Sequence, residues 1–231
     1  MLDQNSSYTS APTVGVSSSF FPKVYGWMTA GLALTALMAV VTLSSEELLK
    51  LIFGNKMVFY ALIIGELGLV IALSAAINKI SSYVATLMFL VYSALNGVTF
   101  AAIFLVYTSS SIASAFFVAS GTFAAMSIYG YVTKRDLTGW GSFLFMGLIG
   151  IIIASIVNVF LQSEMIYWVT SYIGVFVFVG LTAYDTQKIK RIGEAGFADG
   201  ESQKKAAILG ALRLYLDFIN LFLMLLRIMG N

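Results

Sequence analysis

Seven predominantly apolar stretches divide the chain, at about 24 to 43, 57 to 77, 83 to 106, 112 to 133, 140 to 161, 166 to 185 and 206 to 227. Each is close to or above the ~20 residues that carry an α-helix across ~30 Å of hydrocarbon, so the pattern predicts an all-α membrane protein of seven transmembrane helices. The third and fourth stretches share one uncharged tract from Ile80 to Thr133. Its most polar interruption, YTSSS (Tyr107 to Ser111), predicts a tight hairpin turn. Residues 1–22 are polar and Ser-rich, carry no basic residue and hold both prolines. They predict a disordered tail rather than a cleaved signal peptide, with the seven-helix domain at 23–231.

Composition supports the same class and narrows the chemistry. The chain is 59% hydrophobic and 10% charged with a mean hydropathy of +0.91, against roughly 25% charged in a soluble domain. Cysteine and histidine are absent, which removes disulfides, thiol chemistry and most zinc, copper or haem sites. No cofactor and no resident metal are therefore expected, and carboxylates must carry any proton chemistry. Thirteen Lys and Arg against eleven Asp and Glu give a net charge of +2, no reason to expect nucleic acid as a partner. The partner implied throughout is the lipid bilayer. The first residues and alternate loops hold Lys23, Lys79, Lys134, Arg135, Lys188, Lys190, Arg191, Lys204 and Lys205, whereas the other face has Lys50, Lys56 and Arg227. Cytoplasmic loops are enriched in basic residues, so the N-terminus is expected inside and the C-terminus outside.

The last apolar stretch is interrupted on one side only. Arg213, Asp217, Asn220, Met224 and Arg227 follow at spacings of four, three, four and three, one stripe on a helix. An ionisable residue near mid-bilayer costs ~3 kcal/mol or more and turns toward a bundle interior or a water-filled cavity. The seventh helix is thus expected at the centre of the bundle. Arg213 and Asp217 admit two readings, a structural ion pair within the helix or a functional site. Glu66, in the middle of the second span, is either a protonated acid that joins helices or a lining residue for an ion, in which case Asn220 shares the pathway. Asn96 and Asn158 read as interhelical hydrogen-bond partners, and Gly121, Ala125, Gly147 and Gly150 as small residues that let helices approach.

Asp185 sits in GLTAYDTQKIKRIG (Gly180 to Gly193), where the sixth span runs into a basic loop. The seventh helix re-enters from that face. If Arg213 lies near the interface, Asp217 is about one turn deeper than Asp185, ~6 Å at 1.5 Å per residue. Two carboxylates that close titrate as a unit, so a chain without histidine can sense pH through a shared proton. The proton would make or break a hydrogen bond between the sixth and seventh helices worth ~0.6 to 2 kcal/mol, enough to bias a gate.

The motifs FVGLTAYDTQKIK (Phe178 to Lys190) and LGALRLYLDFINLFLMLLRIMG (Leu209 to Gly230) together resemble the paired aspartate signature of the Bax inhibitor family, the transmembrane Bax-inhibitor-motif proteins, in its bacterial branch. VYGWMTAGLALTA (Val24 to Ala36) and SIYGYVTKRDLTGWG (Ser127 to Gly141) resemble the same branch. The resemblance implies a seven-helix fold with the last helix central, a pH-sensing pair at Asp185 and Asp217, an acid in helix two at Glu66, and a calcium leak in the bacterial inner membrane. Some members carry a base at the inner end of helix two that engages the aspartates. Lys79 is the nearest equivalent here, two residues late, and Arg213 occupies a position often small or hydroxylic in relatives, so both are candidate modulators of the sensor.

Three classes compete for these residues. A calcium leak channel uses carboxylate oxygens suited to a hard cation, calcium being the permeating ion. A non-catalytic regulator would bind and restrain a membrane-bound quality-control protease, a role the resemblance also implies. An intramembrane aspartyl protease also pairs a YD aspartate with a second one on the next helix, but it carries a glycine two residues before that second aspartate and a Pro-Ala-Leu segment after it. This chain reads LYLD and has no proline after Pro22, which favours a protein that is not an enzyme. A retinal protein is excluded because the last span holds no lysine for a Schiff base.

Overall fold

The structure, a computed structural model, describes residues 19–230; the tail reading of residues 1–18 lies outside the described residues. Eight helices follow in order: α1 (Phe20–Leu43), α2 (Glu46–Phe53), α3 (Lys56–Ala76), α4 (Ser82–Val106), α5 (Ser109–Val132), α6 (Thr138–Leu161), α7 (Glu164–Ala195) and α8 (Gly200–Met229). All but α2 are long and apolar enough to cross a membrane. In hydrocarbon every backbone N–H and C=O must be satisfied within the protein, and a helix does this from its own sequence. Phe20 to Pro22, assigned to the tail from sequence, form the first turn of α1. Pro22 is tolerated there because its position has no intrahelical N–H bond to lose.

The turns are set by side-chain caps. Ser81 accepts from Val84 N, Thr108 from Ser111 N, Ser163 from Ile166 N and Asp199 from Ser202 N, each satisfying an N–H that the first helical turn leaves without a partner. The expected hairpin at YTSSS is present, reduced to Tyr107 and Thr108 between α4 and α5. α2 was not expected. It begins at the cap Ser45, carries Glu46 and Glu47 in its first turn and buries Ile52. Eight residues with three charges give no membrane-span signal, so it reads from sequence as a loop.

A larger difference concerns the basic loop expected after Asp185. α7 continues ten residues beyond that aspartate to Ala195, because Gln187, Ile189 and Gly193 keep a buried face toward the bundle. It stops at Gly196, whose φ of 78° suits glycine. Only residues 196–199 connect it to α8. The cationic side chains therefore project from a rigid helical extension.

α8 is the most buried spanning helix and packs against α1, α4, α5 and α7, while α3 lies outside α4 and α6 outside α7. The last helix is central, as its polar stripe predicts, with four neighbours around it and two further helices in an outer layer. Leu212, Leu214, Tyr215, Leu221 and Leu226 fill the bundle axis. The close approaches between helices are not where the sequence reading put them. Gly121 and Gly150 face open space, and Gly147 meets only the Val177 side chain. Backbones instead meet at Gly97, against Thr35 of α1, and at Gly130, against Ala183 of α7. The two asparagines also differ from expectation: Asn96 donates to Tyr92 of its own helix (3.0 Å), and Asn158 accepts from Ser163 N (2.8 Å) to close the α6–α7 turn.

Candidate functional site: two polar clusters on opposite faces of α8

The stripe on α8 faces α7 along its whole length. Arg213 Nη1 lies 3.5 Å from Asp185 Oδ1, Met224 packs on Gly174, and the Arg227 guanidinium sits 5.4 Å from the Tyr167 ring. Of the two readings of Arg213 and Asp217, the ion pair within α8 is not the one formed: Arg213 pairs across helices with Asp185. Asp217 is only 4% exposed and its Oδ2 has no hydrogen-bond partner. A buried carboxylate without a full set of donors is costly as an anion. Asn220, one turn further along the stripe, donates to Leu216 O within α8 (2.8 Å). Lys79 is exposed in the turn after α3, with no ion pair to either aspartate among the described residues.

Glu66 belongs to a different cluster. It is buried on α3 and accepts from Thr99 Oγ1 of α4 (3.1 Å), which also reaches Asn96 O. Asn96 Nδ2 donates to Tyr92 OH, and the Tyr92 ring meets Tyr215 of α8 edge-on at 5.7 Å. The Tyr215 hydroxyl is 2.6 Å from Thr35 Oγ1 of α1. Two residues along a helix is a rotation of ~200°, so Tyr215 and Asp217 point to opposite sides of α8. Glu66 therefore stands across the central helix from the aspartates and not in line with them. Sequence reasoning missed Tyr92, Tyr215 and Thr35; the available signal was a tyrosine within two residues of Asp217, in a stretch where a buried hydroxyl needs a partner.

A third group straps the C-terminal end of α7 to the α5–α6 connection. Gln187 Nε2 donates to Arg135 O (2.8 Å), its Oε1 accepts from Leu137 N (3.0 Å), and Arg191 Nη2 bonds Asp136 Oδ1 (2.8 Å). Hydrogen bonds from the Thr138 hydroxyl and backbone N–H, then the Arg191 guanidinium, hold the Asp136 carboxyl down at about 2. A depressed carboxylate contributes its stabilisation above its unfolded value and loses it only as pH falls through the folded one. The Asp136 carboxyl stays ionised between pH 5 and 8 and is not the source of a pH response there. Among the described residues no three His, Cys, Asp or Glu side chains are grouped to hold a metal.

The chain is similar to inner membrane protein YbhL of Escherichia coli strain K12, 56% identical over 221 residues that cover 95% of this chain and 94% of that protein. An uncharacterized protein of Borreliella burgdorferi is 48% identical over 216 residues, covering 94% and 93%. Protein RP147 of Rickettsia prowazekii is 45% identical over 213 residues, covering 90% and 88%. The family described as inhibitor of apoptosis-promoting Bax1 matches residues 17–231, a span that takes in both aspartate motifs and all eight helices. The seven apolar helices, with the charged α8 at their centre, thus belong to a membrane protein of the Bax inhibitor family.

Proposed function

We propose that this protein is a pH-sensitive calcium leak channel of the bacterial inner membrane, gated by a proton shared between Asp185 and Asp217. The observation that carries the reading is the buried Asp217 carboxyl, its Oδ2 without a hydrogen-bond partner, one turn of α8 from the Arg213 that pairs with Asp185 across the α7–α8 contact. The bundle axis is filled by α8 side chains, so a conducting state requires α7 or α8 to move. The aspartates lie at the seam where such movement starts. Carboxylate oxygens suit calcium as the permeating ion. Calcium flux into liposomes holding the purified protein, followed across a pH series, is the direct test; flux no greater than in empty liposomes at every pH would overturn it. The inner-membrane location is supported by the name of the Escherichia coli relative.

Arg213 tunes the sensor. An adjacent cation favours the ionised carboxylate, and Arg213 is the cation nearest Asp185. Arg213→Ser should move the midpoint of the flux curve toward higher pH, whichever form conducts. A midpoint within 0.2 pH units of wild type, on the order of 0.3 kcal/mol, would remove Arg213 from the mechanism. Glu66 acts from the other side of α8 as a lining group, so Glu66→Gln should lower flux at all pH values without shifting the midpoint. Unchanged flux would leave Glu66 as a joint between α3 and α4.

The basic residues set orientation, with the α7 extension in the cytoplasm and the C-terminus outside. The chain has no native cysteine, so a single cysteine at Asn231 gives a clean assay. It should react with an impermeant maleimide in intact cells; labelling only after the inner face is opened would reverse the topology.

A further inference from the structure

α1 and α5 each pack on α8, yet near their basic ends they meet chiefly through the rings of Phe21 and Tyr131, 4.7 Å apart. Between them a groove of about 420 Å³, lined by Phe21, Tyr25, Ala124, Ser127, Ile128 and Tyr131, opens sideways. The opening is toward lipid, since Ile128 is 63% exposed on a membrane-spanning helix. The lining is almost wholly apolar, and the Ser127 Oγ within it has no hydrogen-bond partner although Ser127 is only 8% exposed. Cations stand at the groove's basic end. Lys190 Nζ lies 5.0 Å from the Tyr131 ring, donates to Tyr131 O and lies 3.7 Å from Glu194 Oε1, and Lys23 is exposed next to Pro22, which also lines the groove. The floor reaches the candidate sensor, because the Tyr25 hydroxyl is 3.3 Å from Thr186 Oγ1, next to Asp185.

We infer that this groove is a lipid site, taking one acyl chain of an anionic phospholipid whose headgroup is held by Lys23 and Lys190. An apolar slot open to the bilayer at membrane depth is filled by an acyl chain, and a basic rim selects a negatively charged headgroup. The Ser127 hydroxyl faces the ester region at the top of that chain. The inference stands on the groove and its rim and is independent of calcium conduction. A comparable groove of about 460 Å³ between α6 and α7, lined by Ile153, Ala154, Val157, Met165 and Val169 among others, has the acid Glu164 and not a lysine next to Met165 of its lining, and supplies an internal control.

The test uses the full chain in nanodiscs doped with phosphatidylglycerol or phosphatidylcholine carrying a photoreactive acyl chain, with cross-linked peptides mapped by mass spectrometry. Labelling at Ala124, Ser127 and Ile128 should be at least threefold stronger with phosphatidylglycerol than with phosphatidylcholine, while the α6–α7 groove shows no headgroup preference. Lys23→Gln with Lys190→Gln should bring the ratio to one. Ala124→Trp should block labelling, and Ile128→Trp, at an exposed position, does the same should the first variant fail to fold. Equal labelling by both lipids, or labelling no stronger than in the α6–α7 groove, would overturn the site. Labelling that appears only after residues 1–17 are deleted would assign the groove to the chain's own N-terminal segment, and cross-links to a second copy would assign it to a dimer contact. Either result overturns the proposal.

Discussion

Asp217→Asn and Asp185→Asn will each flatten the pH dependence of calcium flux while leaving a folded bundle. Asparagine keeps the shape of the side chain and part of its hydrogen bonding but cannot ionise, so only the shared proton is lost. A switchable hydrogen bond between membrane helices is worth ~0.6 to 2 kcal/mol. Wild-type flux should therefore change by about 3- to 30-fold across the titration, and by less than about twofold in either variant. Asp136→Asn serves as a control, because that carboxyl is already ionised throughout this range. A purely structural role makes a different forecast. Asp185 is bonded to Arg213 across α7 and α8, and removing one partner of a buried pair costs ~3 to 5 kcal/mol. Here the cost is smaller because the Arg213 side chain is 36% exposed and solvent screens it. Folded yield by size-exclusion chromatography, measured beside flux, separates the two: well-folded variants with an unchanged pH profile would rule out the sensor.

Gly130→Ala will destabilise the protein more than substitutions at the glycines whose spacing draws the eye. A Cβ at Gly130 would lie 2.9 Å from Ala183 Cα and would also strike the Ala183 carbonyl, backbone atoms of α7 that cannot turn aside. Relief requires α5 and α7 to separate, and overpacking of this kind costs ~1 to 3 kcal/mol. Ala183 is two residues from Asp185, so the separation also disturbs the sensor. Gly150→Ala, facing open space, should be neutral or slightly stabilising, since alanine is favoured over glycine in a helix by ~1 kcal/mol. Thermal unfolding in detergent should show a lower midpoint for Gly130→Ala than for Gly150→Ala. Equal midpoints would mean that the α5–α7 contact is looser than its geometry.

Seven spans, the hairpin at Tyr107 and Thr108 and the burial of the α8 stripe were legible from the chain alone, because the membrane fixes span length and the cost of exposing charge is local to each helix. Asp185 and Asp217 were legible for the same reason. They are ionisable groups in or beside apolar runs, on consecutive helices joined at one face. The partner of Arg213 was not legible. Within α8, Asp217 is one turn away and looks like the natural acceptor, and only the rotation of α7 brings Asp185 to the guanidinium. The placement of Glu66 was hidden in the same way, since its depth follows from its position in α3 but its side of the bundle depends on which helix α3 packs against. The small-residue reading failed at Gly121 and Gly150 because spacing marks where a helix could be approached, whereas contact at Gly97 and Gly130 depends on where a neighbour's backbone passes. Sequence determines what each helix must hide from lipid; tertiary packing decides against which partner it is hidden, because the helices of an apolar bundle can satisfy the bilayer equally well in many rotations.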